Sequence, residues 1–210
     1  YKSVVKVTRE EIEQLKKVAA PDLVERMKRE LGFTVAYTND PVSALIKMWR
    51  EPTFEIHKYD GGVEGTKIPQ YAKAYVTMRL VAGQNPGDIL NGLRDDLRRF
   101  VGDTGLSVDV EMKSGTRAVM TSIDNPFMLK AAEACRTGFG KEALYVGSGG
   151  TIGSLPEFQR LWQGVPLVMI AQSLLTDGYH APNEEFRWEQ ARGGIKTMAA
   201  YLSSIEEMRT

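Results

Sequence analysis

The chain has 210 residues, of which one is cysteine (Cys135) and two are histidine (His57 and His180). A single thiol excludes an internal disulfide and any C-x-x-C redox or metal pair. Its surroundings, Ala131-Ala132-Glu133-Ala134, read as helical, which makes Cys135 a small core residue rather than a nucleophile. Such sparing cysteine usage fits a reducing cytoplasm, the expected location. So few imidazoles leave no H-E-x-x-H and no H-x-D pair. Long apolar runs are missing as well, and none approaches the roughly 20 residues that would cross a bilayer. Neither sign of charge dominates, since 27 Lys and Arg balance 27 Asp and Glu. No net field therefore draws nucleic acid or an anionic membrane, and neither is an expected partner.

What is present is a globular composition, 42% hydrophobic, in a length that allows one large or two small domains. Thr8-Arg9-Glu10-Glu11 fits a capping box opening a helix that Pro21 interrupts, and a second short helix is expected over 22–31. Asp40-Pro41, Asn85-Pro86 and Asn125-Pro126 each pair a cap with a first-turn proline. In the helix after Asn85, Ile89, Leu90, Leu93, Leu97 and Phe100 are expected inward, and Asp88, Arg94, Asp95 and Arg98 outward. Alternation and β-branched content predict antiparallel strands over 53–59 and 72–81, with another at 106–112. After a boundary between Gly115 and Asp124, strands at 143–146 and 166–170 alternate with helices, the rhythm of an α/β sheet.

The most informative stretch is Asp177-Gly178-Tyr179-His180-Ala181-Pro182-Asn183-Glu184-Glu185-Phe186. It follows the apolar run 166–170 and precedes a helical pattern of Phe186, Ala191, Ile195, Met198, Leu202 and Ile205 that Asn183 or Glu184 would start. His180 thus falls in the loop after a strand's carboxyl end, where open α/β sheets place their chemistry. Read alone, a loop histidine is a surface or capping residue.

This decapeptide resembles the C-terminal H-[AS]-x-N-E signature of the dinuclear zinc peptidases and deacylases, the family of carnosinases, succinyl-diaminopimelate desuccinylases and acetylornithine deacetylases. Further short motifs follow that family in order: Pro52-Thr53-Phe54-Glu55-Ile56-His57, Gly61-Gly62, Thr66-Lys67-Ile68-Pro69, Thr77-Met78-Arg79-Leu80-Val81, Gln84-Asn85-Pro86 and Gly149-Gly150-Thr151-Ile152. The resemblance covers roughly residues 1 to 206. It implies a mixed α/β and α+β fold: an incomplete lid or dimerisation domain over 1–118, an antiparallel sheet with helices, and the second half of an α/β catalytic domain over 119–210. The chain, which opens at Tyr1, is accordingly expected to be a C-terminal portion, inactive by itself.

The resemblance also assigns roles. His180 inherits a zinc ligand, one donor of a site that holds two ions in the whole enzyme. Arg79 matches the arginine that binds the substrate carboxylate, a task suited to a guanidinium's two-pronged donor geometry. Thr66 matches a hydroxyl residue that reaches the neighbouring subunit's active site, and Gly150 and Thr151 line the substrate pocket. Asp177 is a candidate to orient the His180 loop, or an ordinary loop carboxylate. His57 matches no metal position and is expected to pack or hydrogen-bond. The family's H-x-D ligand, bridging aspartate and general base have no counterpart in these residues. The carnosinase-like pattern R-E-G-G-S-I-P is broken at Gly147, in place of the arginine, and at Gly153, in place of the proline. The implied activity is hydrolysis of a dipeptide or N-acyl amino acid by a homodimer. The alternatives are a stand-alone dimerisation or peptide-binding module without catalysis, and a serine hydrolase using Ser148 and His180. A nucleophile elbow there fails because Val146 replaces the first glycine.

Overall fold

The computed structural model describes residues 3–32, 34, 36–148, 152–174 and 177–208. It divides into two compact units, Tyr1–Val119 with Gly147–Pro156, and Met120–Val146 with Glu157–Thr210.

In the first unit, helix α1 (Arg9–Val18) opens on the expected capping box. Glu11 N donates to Thr8 Oγ1 at 3.2 Å while Thr8 N donates to Glu11 Oε2 at 2.8 Å, so each residue satisfies an otherwise unpaired amide of the other. Helix α2 (Leu23–Leu31) stops at Gly32, whose φ of 73° is the left-handed conformation that ends helices. Asp40 caps α3 (Pro41–Arg50) by accepting from Ser43 N at 2.8 Å. The apolar sides of the three helices meet in a core of Leu15, Leu23 and Leu45, with Val42, Ile46 and Trp49 packed around it. Leu45 is 2% exposed, and burial of such a side chain contributes about 1.5–3 kcal/mol.

Strands β1 (Glu55–Gly61) and β2 (Ala72–Thr77) pair antiparallel, from Glu55 opposite Thr77 to Gly61 opposite Ala72. The register slips between Ile56 and Lys58, where His57 forms a bulge. β2 stops four residues short of the predicted 72–81, yet one further link survives: Thr53 N donates to Arg79 O at 3.1 Å. Helix α4 (Pro86–Val101) is capped by Asn85, which accepts from Gly87 N at 2.8 Å. Its face differs from the expected one at two places. Phe100 is 86% exposed, and Arg94 turns back to donate to Val110 O through Nε (3.1 Å) and Nη2 (2.7 Å).

In the second unit, Asn125 caps α5 (Pro126–Phe139), which lies against α7 (Trp188–Glu207). The seam is lined by small residues. A methyl group on Gly138 would strike Thr197 Oγ1 and the Gly193 carbonyl, and one on Gly193 would strike the Phe139 ring. Only glycine lets the two backbones approach this closely. The buried side of α7 is therefore Gln190, Gly193, Gly194 and Thr197, while Ile195 and Leu202 of the predicted apolar face are 66% and 62% exposed. Helix α6 (Ser154–Leu161) carries Phe158, stacked on Trp162 with ring centroids 5.0 Å apart.

The strands expected at 106–112, 143–146 and 166–170 form no ladder among the described residues. A strand exists only with a hydrogen-bonded neighbour, and apolar alternation cannot supply one. Nor does α7 start at Asn183 or Glu184. Asn183 has φ 64°, outside the helical region, and Arg187 takes the cap position instead. No helix among the described residues is long and apolar enough to cross a membrane.

Candidate functional site

The loop carrying His180 is built on Asp177, which is 1% exposed. Asp177 Oδ2 accepts from Leu174 N at 2.7 Å and from Gln190 Nε2 at 3.2 Å. Its backbone closes the loop from both sides, donating to Leu174 O at 3.0 Å and accepting from Glu185 N at 2.9 Å. Gln190 Nε2 also donates to Gln172 O at 2.8 Å, and Gln190 Oε1 accepts from Arg187 N at 3.2 Å, so one amide ties the start of α7 to two points of the incoming chain. Within the loop, Ala181 N donates to Gly178 O at 3.0 Å. The turn places His180 at φ 58° and exposes it. A left-handed non-glycine residue is uncommon, and here two occur three residues apart, His180 and Asn183.

Asp177 thus holds the loop through Leu174 and Gln190, not through a hydrogen bond to the imidazole. Its second oxygen, Oδ1, is buried without a hydrogen-bond partner among the described residues. A buried unpaired carboxylate oxygen is costly and suits a site that receives a donor or a cation. Gln190 was not identifiable from sequence as part of this arrangement. Its signal, a glutamine at the third helical position, is legible only once the helix is known to begin at Trp188.

The remaining candidates belong to the first unit or fall outside the described residues. Arg79 lies two residues past β2, exposed, with its amide 3.4 Å from Thr53 Oγ1. Thr66 is exposed in the connection between β1 and β2. Gly150 and Thr151 lie outside the described residues. Gly147, where the resembling pattern has arginine, backs onto Trp49: a Cβ at 147 would sit 2.6 Å from Trp49 Cβ. The glycine is thus a packing requirement of this chain. His57, expected to hydrogen-bond, meets Thr77 Oγ1 at 2.6 Å. Burial pushes the Cys135 thiol up, which keeps it protonated and suits a packing role over a nucleophilic one.

Among the described residues no group of three or more His, Cys, Asp or Glu could hold a metal ion. The described residues thus assemble no multi-donor site around His180, whose exposed imidazole is a single donor. An open cleft of about 470 Å³ in the second unit, lined by Asn125, Gln159, Trp162, Gln163 and Pro166 among others, contains none of the sequence-derived site residues.

Residues 3–204 match the model of peptidase family M20/M25/M40. The chain is 29% identical over 216 residues to the human Beta-Ala-His dipeptidase, covering 99% of itself and 42% of that protein. Among solved structures it is similar to human carnosine dipeptidase 1, at 29% identity and a TM-score of 0.75, over 96% of this chain and 43% of that one. It also shares the fold of an M20 family metallo-carboxypeptidase from Sulfolobus solfataricus, with a TM-score of 0.82 at 24% identity, over 96% of this chain and 46% of the other. The chain spans less than half the length of the relatives it matches. Its helices and two-stranded antiparallel sheet match part of those structures, and the chain belongs to peptidase family M20/M25/M40.

Proposed function

We propose that the chain is the C-terminal portion of a zinc-dependent dipeptidase or amidohydrolase acting on dipeptides or N-acyl amino acids. In this reading residues 1–118 are most of a lid domain through which two copies pair, and 119–210 are the second half of the catalytic domain. The observation that carries it is the His180 loop: an exposed imidazole raised on a turn whose base, Asp177, is buried and hydrogen-bonded to Leu174 and Gln190. Membership of the peptidase family supports the reaction class.

His180 would hold one of two zinc ions, and Asp177 with Gln190 would fix the loop's position. When bound, two zinc ions supply a nucleophilic water at neutral pH and polarise the scissile carbonyl. Arg79 would grip the substrate's terminal carboxylate with paired N–H donors, while Thr66, Gly150 and Thr151 contact the substrate. The general base and the other ligands lie outside these residues, so the chain alone is inactive, and a balanced charge with one half-buried thiol suits a cytoplasmic enzyme.

The test pairs the chain with a protein that includes the family's remaining half. Chelator-sensitive hydrolysis of a dipeptide panel is expected there and not from the chain alone, with His180→Ala lowering zinc content by about one ion per protomer. A zinc-loaded protein inert to the panel, or unchanged zinc stoichiometry in the variant, would overturn it.

A further inference from the structure

His57 has no part in the reading above, yet its surroundings are specific. In the register of the sheet Ile56 faces Val76 and Lys58 faces Tyr75, which leaves His57 as the extra residue of a bulge. Bulges bend a strand and re-aim a side chain. Glu55 faces Thr77 directly across the ladder, so their side chains leave the sheet on one face. The bulge brings His57 to them. His57 Nε2 lies 2.6 Å from Thr77 Oγ1, Thr77 Oγ1 lies 3.2 Å from Glu55 Oε2, and Nε2 is 4.0 Å from that same carboxylate oxygen.

Counting protons fixes the direction of this chain. A carboxylate only accepts, and a threonine hydroxyl has one proton to donate. Thr77 donates that proton to Glu55, so its oxygen meets the imidazole as an acceptor, and the proton between them belongs to Nε2. We propose that Glu55, acting through Thr77, holds neutral His57 as its Nε2–H tautomer and leaves the Nδ1 lone pair as a proton acceptor for a ligand bearing an N–H or O–H donor. Glu55 and Thr77 are positioning residues; the imidazole is the group offered. The His57 side chain is 57% exposed, so such a ligand can reach it.

The tautomer is read directly by nitrogen-15 NMR of the full chain, at a pH about two units above the ordinary imidazole range. The expected spectrum has Nε2 at the protonated position and Nδ1 at the unprotonated one. Thr77→Val should narrow the separation of the two resonances as the ring averages over both tautomers, and Thr77→Ser, which keeps the hydroxyl, should restore it. Glu55→Gln should act in the opposite sense: its amide donates to Thr77, frees the hydroxyl proton to point at Nε2, and shifts the ring toward the Nδ1–H form. A merely structural role for Glu55 would move neither resonance. Nδ1 protonated in the unmodified chain, or the same separation in the chain, Thr77→Val and Glu55→Gln, would overturn the proposal.

Discussion

Gln190 Nε2 lies 3.2 Å from the buried Oδ2 of Asp177, so the first turn of α7 holds the base of the loop that exposes His180. Because the same amide nitrogen also serves Gln172 O, a single side chain joins three segments of the second unit.

Replacing Gln190 with Leu keeps the volume and removes the donor. Asp177 Oδ2 and Gln172 O then lose a partner inside the protein, at a cost of about 1–3 kcal/mol. Hydrogen exchange should quicken at the amides of Leu174 and Glu185, which close the loop, and remain unchanged in α1 and α3. Unaltered exchange at those two amides would mean that the loop stands without Gln190.

Gly147→Ala tests the glycine found where the resembling pattern has arginine. The added methyl would fall 2.6 Å from Trp49 Cβ, within a core helix that cannot easily retreat. Overpacking of this kind costs about 1–3 kcal/mol. The expected result is a lower denaturation midpoint with an unchanged slope, and Gly147→Arg should cost more. A neutral alanine would show that the segment swings clear of Trp49.

Asp40 should make the first unit acid-sensitive. Its hydrogen bonds from Ser43, side chain first and then backbone, hold its carboxyl below the usual aspartate range. A carboxyl depressed in the folded state adds stability that is present above the unfolded value, about 4, and is lost as pH falls through the folded value. Asp40→Asn can still cap α3 but does not titrate, so its stability should decline less steeply below about pH 4 than that of the unmodified chain. Equal slopes in urea titrations across that window would remove Asp40 from the account.

Elements governed by local chemistry were legible in the sequence. Thr8, Asp40, Asn85 and Asn125 each cap the helix that their spacing announces, because a cap needs only the next three residues. Features that depend on distant chain were not. The alternation at 166–170 says nothing about whether a neighbouring strand exists. The periodicity of Ile195 and Leu202 marks a face of α7 but not which face α5 meets, and that choice falls to Gly193 and Thr197 because Gly138 lies opposite them. In the site, the acidic residue ahead of His180 could be picked out. Its grip by Gln190 could not, since two left-handed residues delay the helix to Trp188 and shift every position that follows.

The seam where Gly138 faces Thr197 and Gly193 has a mechanical consequence. At these points each rod's bare glycine backbone already abuts the Thr197 hydroxyl or the Phe139 ring of the other, so neither can roll without collision. Every enlargement at Gly138 or Gly193 therefore acts as a wedge.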